Sequence, residues 1–111
     1  MSVNTGQSTN LLAKIDTGAT FCIFQREHAE GLDIDVESGL PEEISTATGR
    51  FKAYGHSVNL TCFKYEFETT VYFTEQYDFS RNVLGLRGWF DKFRFGLIHY
   101  DATLYLSNYD E

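Results

Sequence analysis

No stretch of about eighteen apolar residues occurs in the 111-residue chain, so the sequence predicts no transmembrane helix. Basic residues are scarce: nine Lys and Arg stand against sixteen Asp and Glu, a net charge of −7. That deficit argues against nucleic acid or an anionic membrane as a partner. The two cysteines, Cys22 and Cys62, form no C-x-x-C and no metal spacing, and read as free buried thiols of a reducing compartment. His28, His56 and His99 are scattered and fit no zinc pattern. Met1 to Asn10 is polar and lacks the apolar core of a signal peptide, so the expected location is the cytoplasm. No repeat or low-complexity segment appears, and the length suits one domain over residues 1–111. No cofactor or metal is expected. Asp33, Asp35 and Glu37 lack the glycine-centred pattern of a calcium loop and read as solvated.

What is abundant is aromatic and β-prone. Seven Tyr and ten Phe supply large buried area. Ser8 to Ile15 reads as a strand that ends on Asp16-Thr17-Gly18, a turn. A carboxylate at the end of a buried strand is costly unless it is hydrogen-bonded or has a task. The bland alternative is an acid that merely caps its turn. Phe21 to Phe24 follows as a second buried strand, and Gln25 to Gly31 as a helix of one to two turns with a glycine stop. Glu43 to Gly55 reads as a hairpin turning near Ala47-Thr48-Gly49. His56 to Phe63 and Glu66 to Thr74 alternate and predict a long antiparallel hairpin. Leu86, Trp89, Phe90 and Phe93 stand at helical spacing and predict an amphipathic helix with an aromatic core face. Phe95 to Tyr100 and Leu104 to Leu106 predict a final hairpin turning at Asp101-Ala102-Thr103.

Two of these segments carry a resemblance. Asp16-Thr17-Gly18-Ala19 after an apolar strand, with Asn82-Val83-Leu84-Gly85 far downstream, resembles the retropepsin-like aspartic proteases over roughly Val3 to Leu106. The phrase from Gly88 to Phe95 looks closer to cellular and bacterial members than to retroviral ones. The resemblance implies an all-β fold: a small, closed, mostly antiparallel barrel with one short helix in the C-terminal half. It implies that the Asn82–Gly85 segment passes beside the Asp16 turn and supports it. It also implies that the hairpin around Thr46, Ala47, Thr48 and Gly49 is a flap over an extended peptide, with Ala19 and Thr20 lining the groove. Asp16, Thr17 and Gly18 are then the catalytic turn. Retroviral members place an arginine directly after the second glycine; here Leu86 holds that place and Arg87 follows. They also carry a further N-terminal strand that contributes to their dimer interface, and none is expected before the first hairpin here.

One aspartate cannot supply both carboxyls of such an enzyme, and no second Asp-Thr-Gly or Asp-Ser-Gly exists in the chain. Counting therefore requires a homodimer in which Asp16 meets Asp16 across a two-fold axis. The expected activity is an aspartic endopeptidase acting on extended peptide or protein substrates. The alternative from another class is a catalytically inactive module of the same fold, serving dimerisation or peptide binding. An unrelated small β-barrel binding domain is a distant third.

Overall fold

The computed structural model describes residues 1–46, 49–63, 65–98 and 103–107, the last two strands by their backbone alone. The strands are β1 (Ser2–Asn4), β2 (Ser8–Asn10), β3 (Ala13–Ile15), β4 (Ile23–Phe24), β5 (Leu40–Thr46), β6 (Gly49–Cys62), β7 (Tyr65–Thr74), β8 (Asn82–Leu84), β9 (Arg94–Ile98) and β10 (Thr103–Ser107). A single α-helix among the described residues, α1 (Arg26–Gly31), follows β4. Eight strands form one sheet in the order β2-β1-β6-β7-β4-β8-β3, with β5 on β6; β9 and β10 make a separate hairpin. The chain is thus mostly strand, as the all-β expectation requires. The ladder runs from β2 to β3 among the described residues.

The fourteen-residue β6 is the spine of the sheet. Its first half pairs with β5, from Thr46 opposite Gly49 to Leu40 opposite Gly55. Its second half pairs with β7 on one side and β1 on the other. Val58, Leu60 and Cys62 are buried while Ser57, Asn59 and Thr61 are exposed, which is the period-2 pattern of a half-buried strand. The predicted hairpins therefore both exist, and they share one continuous strand. The turn residues Ala47 and Thr48, and Asp101 and Ala102 of the last hairpin, lie outside the described residues; Thr103, expected in that last turn, opens β10.

Two expectations change in kind. The strand expected from Ser8 to Ile15 divides at Leu11-Leu12. Leu11 turns into the core, 6% exposed, and its N–H bonds Met1 O at 3.0 Å, while Leu12 is 91% exposed. The break lets the chain leave its antiparallel partner β1 and pair in parallel with β8. The helix expected at Leu86–Phe93 is no α-helix: it shrinks to one 3-10 turn at Phe90–Lys92. Gly88 sits at φ +99°, its N–H bonds Asp91 Oδ1 at 3.0 Å and its carbonyl accepts the Thr69 hydroxyl at 2.7 Å. Neither backbone group is then free for a helical ladder. Trp89, Phe90 and Phe93 still reach the core, but Leu86 is 42% exposed.

That core gathers Trp89, Phe24, Phe73, Phe90 and Leu60 with Val3, Val71 and Leu84. The Trp89 ring meets Phe90 edge-on at 4.9 Å and Phe93 at 5.2 Å. Each such side chain contributes on the order of 2 to 3 kcal/mol by leaving water. Outside it, the acidic loop after α1 is tied down: Arg26 grips Glu37 through two bonds of 2.5 and 2.6 Å, holding that exposed carboxyl below its ordinary range.

Cys22 and Cys62 are free and buried, as expected of two unpaired thiols. Burial pushes the Cys22 thiol from an ordinary 9.0 to about 11, against a smaller lowering by the Gly85 N–H. The folded state therefore holds this proton where the unfolded chain has lost it. Its contribution is intact below pH 9 and disappears as pH rises towards 11, by at most about 2 to 3 kcal/mol. Urea unfolding between pH 8 and 11 should show a steeper loss of stability in the native sequence than in Cys22→Ala. Equal slopes would exclude the effect.

Candidate active site

Asp16 is delivered by β3 and fixed by backbone on both sides. Its N–H bonds Leu84 O at 3.0 Å, carrying the parallel β3–β8 ladder one residue further. Its carbonyl accepts the Ala19 N–H at 3.1 Å and closes the turn. Its Oδ1 accepts the Gly18 N–H at 2.9 Å. A Cβ at residue 18 would lie 3.1 Å from that oxygen, so glycine keeps the carboxylate close to the backbone. The side chain remains 34% exposed, and the Lys14 ammonium lies 3.7 Å from Oδ2. A carboxylate rigidly aimed yet reachable by water is what proton transfer requires.

The residues after β8 run beside this turn. Leu86 N–H bonds Ala19 O at 2.9 Å, and Arg87 N–H bonds Thr20 O at 2.8 Å. Phe21 and Arg87 complete a parallel bridge. Gly85 is where the two segments touch: a Cβ there would collide with the carbonyls of Phe21 and Ala19. Asn82, 5% exposed, binds three neighbours at the other end of β8. Its Nδ2 donates to Leu12 O at 2.9 Å and meets His28 Nε2 at 3.2 Å, and its Oδ1 accepts the Gln25 N–H at 2.8 Å. The carbonyl set free by the break at Leu11-Leu12 is thereby satisfied. Arg87 makes no ion pair among the described residues; its guanidinium lies over the Phe21 ring, 5.8 Å from the centroid.

A cleft of about 520 Å³ opens over the turn. Asp16, Gly18, Ala19 and Thr20 form its floor, and Ile44, Ser45 and Thr46 of β5 face them. The β5–β6 hairpin thus overhangs Asp16. Of the groove residues expected from the sequence, Ala19, Thr20 and Thr46 line this cleft. Gly49 does not; it opens β6 at φ +144° and its carbonyl accepts the Thr46 hydroxyl at 3.0 Å. Thr17 is exposed in the turn and does not line this cleft. Ala47 and Thr48 lie outside the described residues.

The apolar walls are not among the residues expected from the sequence. Phe51 on β6 and Phe79 on the loop before β8 lie 5.1 Å apart with their rings tilted at 47°, and line the cleft with Phe21, Ile23 and Val83. Alternation along β6 places Phe51 on the face of Ala53, a signal that the chain does carry. Phe79 sits in the loop Glu75–Arg81, where the family resemblance implies a loop bordering the groove, although no periodicity singles out this residue. Among the described residues no group of three His, Cys, Asp or Glu could hold a metal, and no helix is long and apolar enough to cross a membrane.

Comparison with known proteins agrees with this geometry. A family model described as aspartyl protease matches residues 1–87. Among solved structures, the chain is similar to EIAV protease complexed with the inhibitor HBY-793. The TM-score is 0.54 at 18% identity, covering 77% of this chain and 78% of that one. At that identity the likeness is one of fold. No curated protein matches the sequence. With the Asp-Thr-Gly turn, its supporting segment and the overhanging hairpin all in one fold, the chain belongs to the aspartyl protease family, of the retropepsin-like kind.

Proposed function

We propose that the protein is an aspartic endopeptidase whose reactive centre is a pair of Asp16 carboxyls, one from each of two copies. The observation that carries the reading is the aimed, partly exposed Asp16 carboxylate on the floor of a cleft overhung by a hairpin. Two carboxyls a few ångströms apart share one proton, as is general for aspartic proteases. The ionised one draws a proton from water while the neutral one donates to the carbonyl of the scissile peptide. Thr17 braces the turn of the opposite copy, and Gly18 offers its N–H to the carboxylate. Ala19 and Thr20 with Thr46, Ala47, Thr48 and Gly49 hold an extended peptide through strand-like hydrogen bonds. Residues 1–111 then act as one domain, half of a two-fold site. No cofactor takes part. Two free buried thiols suit a reducing compartment such as the cytoplasm.

A shared dyad makes activity a property of the dimer. Cleavage per molecule should rise with protein concentration until sedimentation shows the dimer saturated, and level off there. A monomer that cleaves, or a dimer inert on a broad peptide library, would each reject the proposal.

A further inference from the structure

A second hollow, of about 800 Å³, has Lys14, two residues before Asp16, in its lining. It is lined by Lys14 and Arg81, by Leu11 and Leu12, and by polar groups of Gln25 and Asn82, among others. Among the described residues no acidic side chain lines it. That is unexpected in a chain with sixteen acids and nine bases. Lys14 lies on β3 and Arg81 directly precedes β8, the strand that pairs with it: Ala13 pairs with Asn82 and Lys14 with Val83. Arg81 makes no hydrogen bond or ion pair among the described residues. Lys14 has one ionic contact, the 3.7 Å approach to Asp16, and is 53% exposed. That separation is longer than a hydrogen bond, so the ammonium is loosely held.

Resting on the endopeptidase reading, we infer that Lys14 and Arg81 form a cationic subsite that selects an acidic side chain next to the scissile bond. Three observations combine. The hollow has room for a side chain and two side-chain cations, Arg81 with no ion pair among the described residues and Lys14 with only its loose contact to Asp16. Its described walls carry no acid to repel an incoming one. Its position follows from strand geometry: residues 14 and 16 share a face of β3, and two residues along a strand span about 7 Å. A substrate bound over Asp16 in extended form brings the side chain of a neighbouring residue to that distance. A carboxylate arriving there relieves the mutual repulsion of the two cations, and competes with Asp16 for Lys14. A neutral side chain does neither.

The test uses the Asp16→Asn variant, which binds without cleaving, and a positional set of decapeptides bearing Glu, Gln or Lys at one central position. Glu peptides should bind about five- to tenfold more tightly than Gln peptides at one position, as two partly exposed ion pairs allow. The advantage should vanish at about 0.5 M salt. Adding Lys14→Glu and Arg81→Glu should turn the preference towards Lys. Equal affinity for Glu and Gln at every position overturns the subsite. So does a charge reversal that shifts the sedimenting mass while leaving peptide preference unchanged, because the cations then serve the contact between copies. Cleavage of the same peptides by the unmodified protein separates the two readings. An acidic preference in binding without Asp16-dependent cleavage supports the subsite and rejects proteolysis. Asp16-dependent cleavage without the preference does the reverse.

Discussion

Replacing Asp16 by asparagine should lower peptide cleavage by at least about a thousandfold while leaving the fold intact. The amide cannot take a proton from water, and a dimer of variants loses both halves of the dyad at once. Structure should survive because asparagine keeps an oxygen for the 2.9 Å bond from the Gly18 N–H. What it gives up is the loose contact with Lys14, an exposed pair worth no more than about 1 kcal/mol. The sharper form of the experiment mixes native and variant subunits and lets them exchange. If two copies contribute one carboxyl each, mixed dimers are inert, and an equal mixture retains about a quarter of the activity rather than half. Retention of half would mean that each copy works alone, and the shared dyad would have to be abandoned. The quarter cannot arise from a damaged but independent site, so the mixing curve reports symmetry as well as chemistry.

The parts of this site that could be read from the sequence are those made by neighbours along the chain. The apolar run before Asp16, the glycine two residues later and the alternation on β6 and β7 are local, and each stands where local rules place it. The aromatic residues at 89, 90 and 93 were legible as core for the same reason, since periodicity reports burial. It does not report which backbone conformation achieves it. Gly88 at φ +99°, with Thr69 and Asp91 taking its backbone groups, buries the same three rings from a turn instead of a helix. The break at Leu11-Leu12 was equally hidden. Its carbonyl is satisfied by Asn82, 70 residues away, and a strand pattern cannot show a partner that distant. The contact of Phe51 with Phe79 belongs to the same class, as does the hollow that Lys14 and Arg81 both line. Residue chemistry located the carboxylate; contacts across the chain supply the groove around it.

Gly85→Ala should be strongly destabilising, with a loss above about 3 kcal/mol and a melting temperature lower by more than about 10 °C. The argument concerns space, since Gly85 needs no left-handed backbone. The added carbon would overlap the Phe21 carbonyl and stand 2.8 Å from the Ala19 carbonyl oxygen. Both obstacles are backbone, so no side chain can swing away. Ala19 is held by the Leu86 N–H and by its own N–H to Asp16, and Thr20 is held by Arg87. Making room therefore separates the segment after β8 from the Asp16 turn, and what loosens is the support of the carboxylate. Cleavage should fall further than the folded fraction does. Gly31→Ala is the control: a Cβ there would meet no atom within 4 Å, and the residue closes α1, where alanine is favoured by up to about 1 kcal/mol. The two substitutions add the same atom to the same chain. If they melt together, the close approach at Gly85 is not what holds the turn, and the rigid aim of Asp16 must come from β3 alone.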